Sequence, residues 1–434
     1  IGYHALVNNT TGANNVAVGA LALDANTTGF SQVGVGYGAL TSNTTGYDNA
    51  AFGVNALGAN ISGLSNTAVG NYALDANTTA NNNTAVGYSA IGSNTIGTSL
   101  VAIGTNALYS NTTAANNTAI GTEALFYNTT GSENTAVGRS ALVSNVSGSN
   151  NTAIAYGALN DNTTGAQNIA VGRNALGSNT TAANNTAVGY VALAANTTGA
   201  YNVAVGTNAL DANTTASFNN ALGYSALTTN VTGTKNNAMG VYALYWNTGS
   251  SNVAMGDNAL ANNSTASNNT AVGFESLKAN TTGTRNVSVG AYSLDANTTA
   301  SNNTAVGYQA LTANTTGTRN VALGAYTLDA HTTANDNTGL GYAALSAVTT
   351  GTANTAVGAE ALLSNTASNN TAVGNDALRA NTTGDYNVAV GSLALDACTT
   401  GSQNTGVGAD ALSTLTTGVY NVAVGDDALG AVNN

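Results

Sequence analysis

The 434-residue sequence predicts an all-β chain: a β-solenoid (β-roll or β-helix) of about 26 stacked 17-residue coils, with two short strands per coil. Three observations carry that prediction: a strict internal period, a unit too short for a helix pair, and the absence of proline. The Gly of an Ala-Val-Gly triplet falls at Gly2, Gly19, Gly36 and onward to Gly425 in steps of 17, with Ala155 once in its place. Steps of 16 occur only at Gly240 to Gly256 and Gly358 to Gly374. Such a period marks a repeat architecture whose units bury their apolar side only against neighbouring units. Helix-pair repeats need roughly 33 residues or more, and the Thr, Val and Gly content opposes helix. Proline cannot donate to a continuous hydrogen-bond ladder, and the chain has none.

Numbered from its Asn, the unit reads N-T/V-A-V-G-x-x-A-L-x-A-N-T-T-G/A-x-x. Slots 1 to 4 and 8 to 11 are expected as strands, and slots 5 to 7 and 12 to 17 as turns. Slot 4 is always apolar (Val18, Phe52, Ile103, Leu222, Met239), and slot 9 is Leu in every copy except Ile91, so these two slots are expected to face inward. The slot-5 Gly suits a positive φ or a close backbone approach. Charges gather in the variable slots, as Arg139, Glu275, Asp329, Asp161, Asp385 and Arg319 show, and these are expected to face water. Both 16-residue copies lose their residue beside the Thr pair, where a turn tolerates it. Slot 15 alternates Gly and Ala over part of the chain, so successive coils are not equivalent.

Composition narrows function. Only 6% of residues are charged while 43% are hydrophobic and recur in register, which describes a repetitive packed chain, not a disordered one. The net charge of -12 is spread thinly with no basic patch, which argues against nucleic acid as a partner. No apolar run approaches the roughly 20 residues of a membrane helix, so no membrane insertion is expected. Residues 1–434 read as one continuous repeat domain, a fragment of a longer chain or an uncapped filament subunit, because Ile1-Gly2 already lies inside a repeat.

Slot 12 is Asn in 21 copies, of which 18 read Asn-x-Ser/Thr. As N-glycosylation acceptors the candidates are Asn26, Asn43, Asn77, Asn111, Asn162, Asn196, Asn213, Asn280, Asn297, Asn314 and Asn381. The competing reading is an inward-facing ladder of stacked Asn side chains that bond the turn backbone. The exceptions favour the ladder: His331, Val348, Cys398, Leu415 and Val432 are mostly apolar, and Thr-Thr follows four of the five. A second sequon pattern, as in Asn82-Asn83-Thr84 and Asn116-Asn117-Thr118, straddles slots 17 to 2.

Slot 3 holds only Ala, Gly or Ser. If slots 2 and 4 point inward, slot 3 forms a flat strip along the outside that packs against another chain; in a narrower coil it faces inward instead. No catalytic, cofactor or metal site is expected. His4 and His331 are isolated, Cys398 replaces an Asn, and the slot-10 Asp residues of the recurrent Leu-Asp-Ala (Asp24, Asp75, Asp211) lack the oxygen cluster calcium requires. Slot-6 Tyr residues such as Tyr37, Tyr88 and Tyr308, and the departure "VYALYWNTGSSN" around Trp246, are the candidates for an adhesive surface.

The units "NTAVGYSAI", "NTAVGYQAL" and "NVAVGTNAL", each followed two residues later by "NTTG" or a close variant, resemble repeats of phage tail-fibre-like proteins and bacterial surface fibre proteins. More distantly, the A-V/I-G core is similar to the head repeats of trimeric autotransporter adhesins. The resemblance implies an extracellular, cell-surface or virion location and self-association, as a homotrimer or as a head-to-tail or lateral filament. The expected function is a structural fibre or filament shaft acting as a rigid spacer, without enzymatic activity. An adhesin that binds a surface glycan or receptor through exposed turns is the alternative, and an ice-binding solenoid a minor one.

Overall fold

The computed structural model describes residues 1–431 and is a β-solenoid without helices among them. They fall into two compact units, residues 1–218 and residues 219–431. The first holds strands β1 (Val16–Val18) to β12 (Val203–Val205), and the second β13 (Asn220–Leu222) to β25 (Val422–Val424). Within each unit successive strands pair parallel and in register, as in Val16↔Val33 and Ala17↔Gly34.

From Asn15 onward each coil contains one three-residue strand, at slots 2 to 4, where the sequence suggested two. The expected second strand at slots 8 to 11 is a turn with a left-handed residue inside it. Slot 9 has a positive φ in coil after coil (Leu23 53°, Leu74 52°, Ile91 54°), and so do slot 7 (Asn55 52°) and slot 17 (Asn82 60°). This segment still bonds along the stack. The slot-7 N–H donates to the preceding coil (Leu21 N to Tyr3 O, 2.8 Å) and the slot-9 N–H to the following one (Leu23 N to Ala39 O, 3.0 Å). A left-handed L-residue costs roughly 1–2 kcal/mol. Burying Leu returns about 1.5–3 kcal/mol, and its own N–H is satisfied, so the conformation is affordable in every coil.

The faces of the strand are also reversed relative to expectation. Slot 3 is the buried one (Ala51, Ala68 and Ala102, all 0% exposed), whereas slot 4 stands outside (Phe52 42%, Ile103 41%, Met239 47%). Slots 3, 8 and 9 supply the apolar interior, and the small side chains at slots 3 and 8 make it narrow. The outward strip predicted at slot 3 therefore does not exist.

Glycine at slot 5 meets both conditions expected of it. Gly19 has φ 135°, and a Cβ there would approach the carbonyl oxygen of Gly36 in the next coil to 2.3 Å. Ala155 occupies the slot at φ 104°. The shortened coils keep strand register, with Ala238 opposite Ala254, and lose the second Thr of the corner instead.

Candidate functional site

Slot 12 builds a polar column through the interior. In the first unit Asn26 Nδ2 donates to Asn9 Oδ1 at 2.7 Å, Asn43 to Asn26 at 3.0 Å and Asn60 to Asn43 at 2.8 Å, and the pattern runs on to Asn213 on Asn196 at 2.8 Å. The same Nδ2 closes its own corner onto the slot-15 carbonyl, as Asn26 does to Gly29 O at 3.0 Å. Every donor and acceptor of each amide is thus directed along the stack or into the turn, which is why an amide is tolerated where no water reaches. In the 16-residue coils the corner bond spans two residues instead of three: Asn247 to Gly249 O and Asn365 to Ala367 O, both 2.9 Å.

The same column forms in the second unit, as Asn297 on Asn280 at 2.9 Å shows, and all eleven candidate acceptors lie in the column of their own unit. Asn26, Asn43, Asn77, Asn111, Asn162, Asn196, Asn213, Asn280, Asn297, Asn314 and Asn381 are fully buried. The Nδ2 of Asn77, for instance, reaches both Asn60 Oδ1 and Ala80 O. By contrast Asn82 and Asn116, which open the second sequon pattern, are exposed.

The exceptions sit where the sequence put them, inside. Val348 and Cys398 are fully buried and Leu415 nearly so, while Val432 lies outside the described residues. Two of the substitutions leave a mark on the preceding Asn. Asn314 Oδ1, which faces His331, and Asn381 Oδ1, which faces Cys398, are buried acceptors without a donor. His331 Nε2 keeps the corner bond to Ala334 O at 2.7 Å, but its Nδ1 is buried and unpartnered. Burial depresses the His331 pKa, against a smaller opposing effect of the Ala334 carbonyl. Cys398 Sγ lies 3.6 Å from Gly401 O, and burial raises its pKa, so it is a poor nucleophile.

The Thr pair outlasts the Asn because it serves a different bond. Thr315 Oγ1 donates to Thr332 O at 3.1 Å, and Thr332 Oγ1 to Thr349 O at 3.2 Å, straight past His331. Only the second Thr of the pair is left standing outward, as at Thr28 and Thr333.

A second buried column, at slot 1, went unread in the sequence. Asn49 Oδ1 accepts the backbone N–H of Asn66 in the next coil at 2.9 Å, and Asn49 Nδ2 donates to the slot-15 carbonyl of its own copy, Gly63 O, at 2.8 Å. Its signal was the near-constant Asn at slot 1, which the sequon reading of "NNT" obscured.

Of the slot-10 Asp residues, Asp24 Oδ1 accepts from Thr41 Oγ1 at 2.9 Å and Asp295 Oδ1 from Thr312 Oγ1 at 2.7 Å, both in the next coil, whereas the Oδ1 atoms of Asp211 and Asp396 are buried without a partner. Two runs of aromatic rings in mutual contact lie in the second unit. Tyr224, Tyr242, Tyr245 and Trp246 pack edge to face in sequence, with centroids 5.5, 5.4 and 4.8 Å apart. Phe274, Tyr292, Tyr308, Tyr326 and Tyr342 continue the pattern over five consecutive coils. Trp246 is 55% exposed. No protein-family model matches the chain, and no curated protein matches it either.

Proposed function

We propose that the chain is the shaft of an extracellular structural fibre, on a cell surface or a virion, and works as a rigid spacer without enzymatic activity. The observation that supports this most is the direction of its hydrogen bonds. Backbone bonds at the strand and at slots 7, 9 and 13, and side-chain bonds at slots 1, 12 and 13, link each coil to the next. The interior side chains that carry chemistry elsewhere are spent on axial cohesion, so what the sequence adds with each repeat is length. Each coil contributes about 4.8 Å, the spacing between paired strands.

The test is length against coil number. Removal of residues 66–133, four whole coils, shortens the particle by about 19 Å in solution scattering while its cross-section stays constant. An unchanged length or a thickened cross-section contradicts the spacer.

The aromatic cluster supports a second reading, adhesion to a glycan, because exposed rings provide faces for sugar stacking and Trp246 lies at a break in the repeat. On an array of neutral oligosaccharides this reading predicts retention of the chain and its loss in Trp246→Ala; equal retention of the two sinks it.

A further inference from the structure

Slot 4 presents a contradiction that the single chain does not resolve. It is exposed in more than half of its copies and half-buried in the rest, such as Val35 and Val137, and fully buried in none, yet it holds only Val, Ile, Leu, Met or Phe throughout. Strand propensity does not explain this, because Thr is as good a strand former and fills slot 2 of the same strand face at Thr67, Thr84 and Thr118. Solubility does not explain it either, since the neighbouring outward slots take Arg139, Asp257 and Glu275 freely. A position that tolerates a change from Val to Phe but no hydroxyl and no charge behaves as a covered surface whose covering adapts to size.

We propose that the slot-2 and slot-4 face is a lateral interface between two copies of this chain. The occupant follows from repeat matching. A partner must offer an apolar strip with rungs at the coil spacing over many coils, and a second copy has that strip by construction. Such a contact is isologous, each chain using the same patch, and with the two chains parallel about a two-fold axis along the stack each rung meets its own copy in the partner. The face carries no charge of its own, so the net -12 sits away from the contact. Its size is adequate. The twelve strands of the first unit, at about 4.8 Å spacing and about 10 Å of strand length, give a footprint of roughly 530 Å² per copy. Two such footprints make about 1,000 Å², the threshold of a specific interface, and one footprint lies in the upper part of the roughly 300–600 Å² range of the largest apolar patch on a typical monomer, a patch that is often functional. This inference stands independently of the spacer reading.

Sedimentation equilibrium of the full chain tests it. Wild type is expected at twice the 42.5 kDa chain mass, in a concentration-dependent equilibrium. Ile103→Thr/Ile120→Thr/Val137→Thr, which keeps strand propensity, weakens pairing by about tenfold or more. The same exchange off the face, at Tyr37 and Tyr88, leaves pairing unchanged. As a second measurement that does not depend on the triple variant folding, Ile120→Cys cross-links to itself on oxidation and Tyr88→Cys does not, Cys398 being buried. A wild-type chain that stays at 42.5 kDa across the concentration range assigns the strip to some other occupant and overturns the proposal. Equal pairing by the triple variant, or equal cross-linking at both positions, does so too.

Discussion

Asn314 ends a run of stacked amides because residue 331 is His, and both Asn314 Oδ1 and His331 Nδ1 are left buried without a partner. His331→Asn restores a donor to Asn314 and keeps the bond to Ala334. Since an unsatisfied buried group costs about 1–3 kcal/mol, the variant is expected to gain about 1–2 kcal/mol in urea denaturation. The same residue sets a pH dependence. Its native pKa lies below the ordinary 6.5 because burial disfavours the cation, so the unfolded chain takes up the proton first. The stability it allows is complete above pH 6.5 and is lost as pH falls from there through the lowered native value. Denaturation midpoints of wild type are expected to decline over that window more steeply than those of His331→Asn. At Ala155 the φ of 104° is a conformation that suits glycine. Ala155→Gly is expected to gain about 1 kcal/mol, read as a raised unfolding midpoint; a loss would mean that the methyl group packs usefully. The inward direction of slot 12 was legible from Val348, Cys398 and Leu415, because apolar residues replace only what water does not reach.

At the scale of one coil, the period, the slot-5 glycine and the corner at slots 12 to 15 were all legible, because Gly, indels and Thr-Thr mark turns by chemistry. The strand count was not. Slots 8 to 11 read as a strand because Leu is an unusual choice for a left-handed position, and nothing in "ALDA" signals positive φ. Slot 7 did hold a hint: Gly38 and Gly157 stand there at φ 65° and 64°, and Asn55 and Asn106 are left-handed formers. The reversed strand faces were hidden for another reason. Binary patterning assigns Val to the interior, and this coil is too narrow for it, so Ala goes in and Val goes out. One consequence concerns modification. With Nδ2 buried and bonded on two sides, the slot-12 sequons are closed to a transferase once the coil forms. Intact-protein and peptide mass spectrometry of chain made in a glycosylating host is expected to find Asn77 and Asn162 bare, whereas exposed Asn82 is sterically open. Glycan on Asn162 would show that the coil forms after transfer or that the column opens.

Across the molecule, stability is a sum of nearly identical coils and of the contacts between them. Register matters more than length, because deleting 17 residues moves every column onto its equivalent, while deleting eight sets Leu and Asn opposite turns. The interior departs from the usual rule in two places: the amides of slots 1 and 12 lie within, beside Ala and Leu, while the aliphatic side chains of slot 4 point outward. Paired substitutions in adjacent parts of the same coil test that departure most directly. Asn162→Ala strips a donor from Asn145 Oδ1 and Gly165 O and an acceptor from Asn179 Nδ2. Ile154→Thr alters only an outward side chain, 38% exposed. In urea denaturation of the dilute chain, with hydrogen exchange followed across residues 145–179, Asn162→Ala is expected to cost about 2 kcal/mol or more and to deprotect the flanking coils. Ile154→Thr is expected to cost under about 0.5 kcal/mol. The opposite order, with Ile154→Thr the more damaging and Asn162→Ala neutral, would contradict the account.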